Sequence, residues 1–483
     1  MPTLTRRHAL AALGAATATA AVAAAVPAAA AERPRRRVVL VDVDGFDPRL
    51  LDGRYADVHP LPRIREMRAR GASGTIAATY SSYSNSCRTS TATGAYPTAH
   101  RNTGYYVDPG TGTAVSQERW VEPGVETIAQ ALRRQGRTGA YVQWYAVQDH
   151  GAGYGDTDQL YTQPGGTMTA RVDDAIALLS GEPVSSGGQQ VTLPEPPDLL
   201  AVYGSDVDGW IHSNGFAGDG LYETLEETDT QIGRLLDAID ELGLASSTTV
   251  MLTGDHGLRE WTVPLLPDLL AAVEGLGRTI SVVGAGETAD PDADVVVYAA
   301  PRTADITFRE PVRPAELQRL VRRIGDIEGG ADVHDRHGLR RLHASDKLGD
   351  LVVEPVEPYH FSLLDDGKLR GSHGGVPEAS VPLVVAGAGV RPGARIAHGR
   401  RLRRGALRLH HRGRRPALWR RRGRRLRRSR RHQARLAGVR AGRLGAHRRA
   451  HERLSAGPRA RGGGSHTGRD RTWTWDRAER VAD

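Results

Sequence analysis

The sequence of 483 residues predicts an α/β fold built on a doubly wound, mostly parallel sheet. Two observations predict this fold. First, short β-branched and apolar runs, typical of strands buried on both faces, alternate with amphipathic segments of helical periodicity. Second, several of these runs end in Asp, His or Gly, as expected where strand ends line a ligand crevice. The length fits one large domain with insertions or two to three smaller domains.

In the N-terminal half, the runs predict five elements in regular alternation. These are a strand at 38–41, a helix at 64–70, a strand at 74–79, a helix at 123–135 and a strand at 139–145. Gly136 stops the second helix, whose apolar residues recur at helical spacing. The Gly-, Pro-, Ser- and Gln-rich stretch 181–197 is predicted to be a surface loop.

The C-terminal half continues the alternation and then interrupts it. The predicted elements are strands at 199–203 and 249–253, separated by a long amphipathic helix between Leu221 and Ile239. From 259 to 370 the rhythm loosens, with a strand at 295–298 and a helix at 314–324, and a strand at 381–386 restores the sheet. We therefore expect a core of residues 37–258 and 371–390 and a smaller inserted lobe of residues 259–370.

The first 31 residues have the pattern of a twin-arginine export signal. Arg6-Arg7 precedes an uncharged Ala-rich stretch, and Ala29-Ala30-Ala31 offers a small-residue cleavage site. The alternative is a soluble Ala-rich helix. The export signal predicts an extracellular or cell-surface protein, and no later stretch approaches the ~20 apolar residues of a membrane span.

The last 93 residues differ in composition from the rest. Residues 391–483 contain 31 of the 65 basic residues, all of them Arg, and five of the 56 acidic residues, a net charge of +26. The remaining 34 basic and 51 acidic residues give residues 1–390 a net charge of −17. Such an Arg-rich segment cannot bury enough apolar surface to fold alone. Two interpretations stay open, a disordered basic tail that binds nucleic acid or another anionic polymer, or translation in a wrong reading frame.

Four Asp/His clusters carry the chemistry. They are Asp44-Gly45, Asp208 with His212, Asp255-His256-Gly257 and His373-Gly374, each next to an apolar run. Carboxylates and imidazoles suit zinc and similar divalent ions. Because Cys87 is the only cysteine, neither an intramolecular disulfide nor a thiolate zinc cluster can form. The segment 80–97 adds a hydroxyl-rich stretch that enters a short helix, where a hydroxyl meets the positive end of the helix dipole.

These clusters resemble the nucleotide pyrophosphatase/phosphodiesterase (type I phosphodiesterase) family of the alkaline phosphatase superfamily. The resemblance covers roughly residues 37–390 and rests on five matches in order: Asp44-Gly45-Phe46, Ser84 nine residues before Thr93-Gly94, Asp208-xxx-His212, Asp255-His256-Gly257 and Gly371-Ser372-His373-Gly374. Any single match is weak, whereas five in order are specific. The resemblance implies an alkaline phosphatase-like fold and an exported hydrolase of phosphodiester or nucleotide pyrophosphate bonds.

The resemblance also implies roles for individual residues. Asp44, Ser84, Asp255 and His256 are expected to hold one divalent ion, and Asp208, His212 and His373 a second, most simply zinc. Ser84 is then the nucleophile, activated by the first ion, and forms a seryl-phosphate intermediate. The second ion stabilises the leaving oxygen and activates the hydrolytic water.

The substrate side departs from the family pattern. Ile211 stands where the family has Gly, and Asn85-Ser86-Cys87 replaces the Pro-Asn after the nucleophile. Tyr105 lies near the place of a phosphate-binding Asn, and Asn102 is close enough to substitute for it. Both are predicted to contact the substrate.

The position of Arg88 is compatible with a second reaction, the hydrolysis of sulfate esters. Ser84, Arg88 and Thr93-Gly94 reproduce the spacing of sulfatases of the same superfamily. Sulfatases need the Ser or Cys converted to formylglycine, and Ser86 occupies a position where that conversion reads Pro or Ala. An unmodified Ser84 favours phosphoryl transfer, with Arg88 neutralising a phosphoryl oxygen. The alternatives are a phosphomonoesterase or sulfatase on the same scaffold and, for Arg88, a position on the helix surface where it pairs with an acid.

Overall fold

The computed structural model of the chain describes residues 35–51, 61–328, 331–397 and 399–400. The predicted signal segment 1–31 and the Arg-rich segment from 401 onward lie outside the described residues. Among the described helices, none combines the length and apolar character needed to cross a bilayer.

The described residues contain twenty-two strands. They are β1 Arg37–Val43, β2 Ala72–Ala77, β3 Tyr105–Val107, β4 Ala114–Ser116, β5 Gly139–Val142, β6 Gln159–Thr162, β7 Val184–Ser186, β8 Gln189–Val191, β9 Leu199–Gly204, β10 Thr248–Thr253, β11 Arg259–Trp261, β12 Val263–Pro264, β13 Ile280–Val283, β14 Val295–Ala300, β15 Thr303–Phe308, β16 Ala331–Asp335, β17 Leu351–Pro355, β18 Tyr359–His360, β19 Arg370–Ser372, β20 Ser380–Gly387, β21 Ala394–Arg395 and β22 Gly399–Arg400.

Ten α-helices connect these strands within the described part of the chain. They are α1 Pro62–Arg70, α2 Ser84–Thr93, α3 Pro97–His100, α4 Ile128–Arg134, α5 Met168–Ser180, α6 Asp206–Asn214, α7 Asp219–Glu241, α8 Leu266–Glu274, α9 Pro314–Gly325 and α10 Arg336–Arg341. Three short 3₁₀ turns, Pro48–Leu50, Tyr145–Val147 and Ala245–Ser247, complete the list.

A mostly parallel sheet of nine strands forms the centre of the fold. Its order is β21-β2-β20-β10-β1-β9-β5-β6, and β22 also pairs with β2. Among these described strands only β20 runs against the others, pairing antiparallel with β10 and β2. The predicted fold class, a doubly wound and mostly parallel α/β sheet, is confirmed.

Both faces of this sheet are buried, which explains the continuous apolar runs in its strands. Side chains of β1 alternate between two cores, with Val39 and Val41 in one and Val38 and Leu40 in the other. The first core is covered by α1, α5 and α7, and the second by residues of α2 and α4. Period-two alternation with apolar residues on both faces is the pattern of a parallel strand between two helix layers.

The segment predicted as an inserted lobe, 259–370, contains its own sheet of five strands. The strand order is β13-β14-β15-β17-β16, and α8 and α9 pack against it around a separate apolar core. Its two ends meet, because β11 pairs with β19 and β12 pairs with β18. The lobe thus leaves the core after residue 258 and returns just before His373.

Several predicted boundaries differ from the structure. The strand predicted at 74–79 covers 72–77, and the helix predicted at 123–135 begins only at Ile128, because Thr127 and Gln130 form a capping box there. The predicted loop 181–197 contains the hairpin β7–β8, which turns at Gly187 and Gly188 with φ of 58° and 79°. The sheet also extends past residue 390, where β21 and β22 pair with β2.

Candidate metal centre

The carboxylates of the site lie at the carboxyl ends of three neighbouring strands. Asp44 follows β1 directly, Asp255 comes shortly after β10, and Asp208 lies in the first turn of α6 after β9. Because β9, β1 and β10 are adjacent and parallel, these three ends meet in one crevice. The strand order therefore brings together residues more than 200 positions apart in the sequence.

Gly45 allows the main chain after β1 to pack closely against the side chains of Asp208 and Asp255. Its backbone has φ of 66°, a conformation that L residues rarely adopt, and a Cβ there would come within 3.0 Å of the Asp208 side chain. Its N–H donates a hydrogen bond of 3.2 Å to Oδ1 of Asp255. The Asp-Gly pair after β1 is thus required by the geometry of the site.

The first group consists of Asp44, Asp255 and His256, all buried. Nε2 of His256 lies 3.2 Å from Oδ1 of Asp44 and 3.5 Å from Oδ2 of Asp255. The other ring nitrogen, Nδ1, lies 3.0 Å from the carbonyl oxygen of Gly257. With the proton on Nδ1 donated to that carbonyl, Nε2 is left to face the carboxylates as a metal-ligand nitrogen would.

Ser84 completes the first group. It is the first residue of α2 and directly follows the N-cap residue Tyr83. Its Oγ lies 2.9 Å from Nε2 of His256. The predicted nucleophile therefore stands beside the first group, at the positive end of a helix.

The electrostatics of the first group are those of a strong negative site. Burial lowers the pKa of His256, but the carboxylates of Asp255 and Asp44 outweigh this and raise the pKa to about 9. Burial raises the pKa of Asp255 to about 7 despite the opposing effect of Arg88. In the absence of a metal ion, this field binds a proton, and the same field attracts a divalent cation.

The second group consists of Asp208, His212 and His373. Asp208 and His212 share one face of α6 at i and i+4, with His212 Nε2 3.2 Å from Asp208 Oδ2. His373 Nε2 lies 3.9 Å from Asp208 Oδ1, a buried oxygen with no hydrogen-bond partner among the described residues. His373 Nδ1 faces the carbonyl oxygen of Ser82 at 2.8 Å, so its Nε2 also points into the site.

The two groups share a wall made of histidine rings. The rings of His256 and His373 stack with centroids 3.5 Å apart and an interplanar angle of 13°, and the ring of His212 meets His373 edge-on at 5.1 Å. Burial, reinforced by His256 and His212, lowers the pKa of His373 well below its ordinary value. His373 is therefore a neutral imidazole, the form that ligates metals.

Arg88 lies one helical turn after Ser84 and is almost fully buried. Its NH2 atom is 2.5 Å from Oδ2 of Asp44 and 3.0 Å from Oδ2 of Asp255, and its NH1 donates to the hydroxyl of Tyr145 at 2.5 Å. The guanidinium also stacks over the ring of Tyr203 at 4.0 Å. The structure therefore pairs Arg88 with the carboxylates of the first group in the buried interior and not on a helix surface, and its contact with a phosphoryl oxygen stays a prediction.

This ion pair helps to give the two carboxylates of the first group different pKa values. Burial raises the pKa of Asp44, but Arg88 and His256 outweigh it and hold the pKa well below its ordinary value. The hydroxyl of Tyr203, at the end of β9, donates a further hydrogen bond of 2.8 Å to Asp44 Oδ2. Asp44 is thus ionised and held in place, as a candidate metal ligand should be.

The two predicted substrate contacts have different surroundings. Asn102 is fully buried. Its amide nitrogen donates hydrogen bonds to the hydroxyl of Thr89 and to two main-chain carbonyls, and its Oδ1 accepts one from the N–H of Gly104. The structure therefore does not bring its side chain into the site. Tyr105 is half-buried and meets the ring of Tyr83 edge-on at 5.3 Å. Tyr83 in turn lies 5.8 Å from the ring of His373, which connects Tyr105 to the second group.

Sequence reasoning missed two aromatic neighbours of the site. Tyr83 immediately precedes Ser84, and Tyr145 both accepts from Arg88 and donates to Asn85 Oδ1 at 2.8 Å. The position of Tyr83 next to the predicted nucleophile was an available signal. Tyr145 carried no such signal, because only the packing of its 3₁₀ turn against α2 brings it near.

The comparisons with known proteins place the chain in a family. Residues 38–375 match the family model of type I phosphodiesterases/nucleotide pyrophosphatases, so the chain belongs to that family. Murine ectonucleotide pyrophosphatase/phosphodiesterase 5 has a similar fold, with a TM-score of 0.56 at 16% identity over 76% of this chain and 92% of that one. An inactive variant of that murine protein, solved in complex with AMP, matches with the same values.

Curated relatives match over shorter stretches. Ectonucleotide pyrophosphatase/phosphodiesterase 1 of Saccharomyces cerevisiae is 34% identical over 79 residues, 15% of this chain and 11% of that protein. Human iduronate 2-sulfatase is 38% identical over 160 residues, 30% of this chain and 25% of that protein. Mouse steryl-sulfatase is 51% identical over 47 residues, or 9% of this chain and 8% of the other. The chain thus spans a quarter or less of the curated relatives that it matches.

Proposed function

We propose that this member of the type I phosphodiesterase/nucleotide pyrophosphatase family hydrolyses phosphodiester bonds of nucleotide-like substrates, with Ser84 as nucleophile. One observation carries the proposal: Ser84 Oγ and the carboxylates of Asp44 and Asp255 all face one nitrogen, Nε2 of His256, at 2.9, 3.2 and 3.5 Å. Three oxygens and one imidazole nitrogen around a single point are a donor set suited to zinc.

The same geometry argues against a Ser-His-Asp triad. In a triad the carboxylate holds the ring nitrogen opposite to the one that faces the serine. Here Asp44 and Ser84 both face Nε2, and Nδ1 faces the carbonyl of Gly257. His256 is therefore arranged as a ligand beside Ser84 and lacks the partner that a general base would have.

The second group fits a second divalent ion. Oδ1 of Asp208, which has no hydrogen-bond partner in the described ranges, and the Nε2 atoms of His212 and His373 offer one oxygen and two nitrogens. Two metal ions held by the two groups would supply Lewis-acid stabilisation of charge on the attacking and leaving oxygens. Because each group combines carboxylate oxygen with imidazole nitrogen, a donor set that zinc takes in proteins, zinc is the ion that we propose.

The residues of the chain then act in two displacements. Ser84 Oγ loses its proton to solvent and attacks phosphorus, a bond from Oγ to phosphorus forms, and the bond to the leaving oxygen breaks, with solvent protonating that oxygen. Water next cleaves the seryl-phosphate and returns the proton to Ser84. Arg88 keeps Asp44 ionised and fixed throughout, and Tyr105 is our candidate for a contact to the substrate.

Nucleotides are the substrate class that we favour. The family to which the chain belongs is that of type I phosphodiesterases/nucleotide pyrophosphatases, and an inactive variant of the structurally similar murine protein was solved with AMP. The twin-arginine pattern at residues 5–8 supports a further proposal, that the enzyme acts outside the cytoplasm.

The test compares three esters of one phenol: bis(4-nitrophenyl) phosphate, 4-nitrophenyl phosphate and 4-nitrophenyl sulfate. We expect the diester to be hydrolysed with the highest kcat/KM and Ser84→Ala to lower that value on the order of 10³-fold or more. Thr91→Ala is the matched control, because Thr91 lies on the same helix and, within the described part of the chain, its hydroxyl bonds only to the carbonyl of Cys87. Full diesterase activity in Ser84→Ala would overturn the proposal.

A sulfatase or phosphomonoesterase is the second candidate. The local matches to two sulfatases and the spacing of Ser84 and Arg88 favour it. Preferred hydrolysis of the sulfate ester, together with conversion of Ser84 to formylglycine seen by mass spectrometry, would establish that candidate in place of the first.

A further inference from the structure

The turn that follows His373 is held by two buried carboxylates. Glu378 Oε2 accepts a hydrogen bond of 2.9 Å from the N–H of Gly375, and Glu354 Oε2 accepts one of 2.9 Å from the N–H of Val376. A Cβ on Gly375 would come within 2.8 Å of Glu354 Oε2 and 3.0 Å of Glu378 Oε2. The main chain two residues after His373 is thus packed directly against both acids.

Glu378 also reaches the first group of ligand candidates. Its main-chain carbonyl accepts a hydrogen bond of 2.7 Å from the N–H of Gly257, the residue after His256. One residue therefore contacts the turn after His373 through its side chain and the turn after His256 through its main chain. The two histidine rings that stack at 3.5 Å belong to these two turns.

Arg302, between β14 and β15 of the inserted lobe, holds the carboxylate of Glu378 in place. Its Nε donates to Glu378 Oε1 at 3.0 Å, and both residues are almost fully buried. The remaining nitrogens donate to main-chain carbonyls of the lobe, NH1 to Tyr359 at 3.0 Å and NH2 to Pro355 at 2.8 Å. The guanidinium is thus fixed by the lobe and in turn fixes Glu378.

We propose that Glu378 and Arg302 form a positioning pair through which the inserted lobe sets His373 and His256 at the spacing that two metal ions require. The proposal rests on the proposed function, since the residues that it positions are the proposed ligands. A buried ion pair is a poor stability device compared with apolar packing. Outer residues that orient metal ligands, in contrast, tune metal affinity strongly.

The test replaces Glu378 by Gln in the full-length chain and measures zinc affinity after removal of metal. The amide keeps the size of the side chain but cannot accept at both ends, so either Arg302 or the N–H of Gly375 loses its partner. We expect the weaker of two zinc sites to lose about 10- to 100-fold in affinity. We also expect kcat to fall more than KM changes, because the ligand spacing acts on the chemical step.

Asp198→Asn is the matched control. Asp198 is a buried carboxylate paired with Arg35 at 2.6 Å and Arg137 at 3.0 Å, but it precedes β9, at the end of the sheet opposite to the site. We expect this variant to lose thermal stability without losing zinc affinity. Arg302→Lys provides a second test, since it keeps the charge, loses the fixed fork of donors and should give an intermediate loss of zinc affinity.

Equal zinc affinity in the wild type, Glu378→Gln and Arg302→Lys would overturn the proposal, as would an equal loss of zinc affinity in Asp198→Asn. A wild-type chain that binds no zinc would overturn it together with the metal assignment. A wild-type chain that binds two zinc ions but hydrolyses no diester would overturn the proposed function alone, because the comparison of affinities does not depend on catalysis.

Discussion

The two ligand groups of the site hold metal-binding side chains in opposite ways. The first group, Asp44, Asp255 and His256, is buried and carries Arg88 on its two carboxylates. The second group is more open, with side-chain exposures of 14% for Asp208 and 27% for His212. No Arg or Lys in the described part of the chain lies within ion-pairing distance of Asp208.

The difference shows that two buried carboxylates need a nearby cation, whereas a more exposed carboxylate does not. Two carboxylates and one guanidinium give the first group the same net negative charge as the single carboxylate of the second when the histidines of both groups are neutral, as metal ligands are. Without a metal ion, the carboxylates raise the pKa of His256 to about 9, so its ring then carries a proton. Arg88 thus offsets the extra carboxylate that the buried group contains, whereas solvent serves the open group. Both groups then offer a cation a similar charge, and in the first group Arg88 and Tyr203 also hold Asp44 in place.

The largest expected effect is a difference in diesterase activity between variants of the two groups. Because the first group surrounds Ser84, Asp44→Asn should lower diesterase kcat/KM by about 10³-fold, whereas Asp208→Asn should lower it by about 10²-fold. Each variant should lose one of two bound zinc ions, measured by metal analysis of the purified chain. Equal losses of activity, or a larger loss in Asp208→Asn, would contradict the assignment of the nucleophile to the first group.

The next effect tests the charge balance of the first group. Arg88→Met leaves two buried carboxylates without their cation, so we expect the metal-free chain to lose about 3 kcal/mol of unfolding free energy in urea. Zinc should stabilise this variant more than it stabilises the wild type, because the ion then replaces the missing charge.

Arg35→Met is the control for this second prediction. Arg35 is partly exposed, and its partner Asp198 keeps Arg137 when Arg35 is removed. We expect the control to lose much less stability and to gain nothing specific from zinc. If Arg88→Met lost no more stability than Arg35→Met, Arg88 would not offset the charge of the first group.

Most of the fold followed from local patterns, and the parts that did not are short or polar. The sequence predicted buried strands at Val38 to Val41 and at Leu199 to Tyr203, because both faces of each strand are apolar. The hairpin of β3 and β4 has only three residues a strand, too few for a periodicity to register.

The residues of the site likewise fall into those that the sequence predicted and those that it did not. Asp44, Asp255 and His256 could be predicted because each lies within three residues of the end of a strand, and strand ends converge in this fold class. The partners of Arg88 and the role of Glu378 could not, because they depend on contacts such as that between Glu378 and Gly257, across more than 100 residues. Such contacts are set by the order of the strands, which the sequence pattern alone does not specify.

The smallest effect concerns a buried carboxylate outside both groups, which shows what burial does when no cation is close. Asp305, in β15 of the lobe, is buried, accepts from the N–H of Gly349 at 2.8 and 3.0 Å, and has no Arg or Lys within ion-pairing distance among the described residues. Burial raises its pKa to about 7. Between about pH 4 and pH 7 the folded chain therefore keeps a proton that the unfolded chain has released.

The sign of the effect follows from that proton. The free energy of unfolding falls as pH rises through this window, by up to about 1.4 kcal/mol per pH unit, and levels off above pH 7. Asp305→Asn removes this slope, so the variant should gain about 2 kcal/mol relative to the wild type between pH 5 and pH 7. Urea unfolding of both chains at pH 5, 6, 7 and 8 measures it, and since every other group titrates in both chains, the difference isolates Asp305. Parallel curves would mean that Asp305 is ionised in the folded chain, and that burial without a nearby cation does not carry the cost that Arg88 offsets at the metal centre.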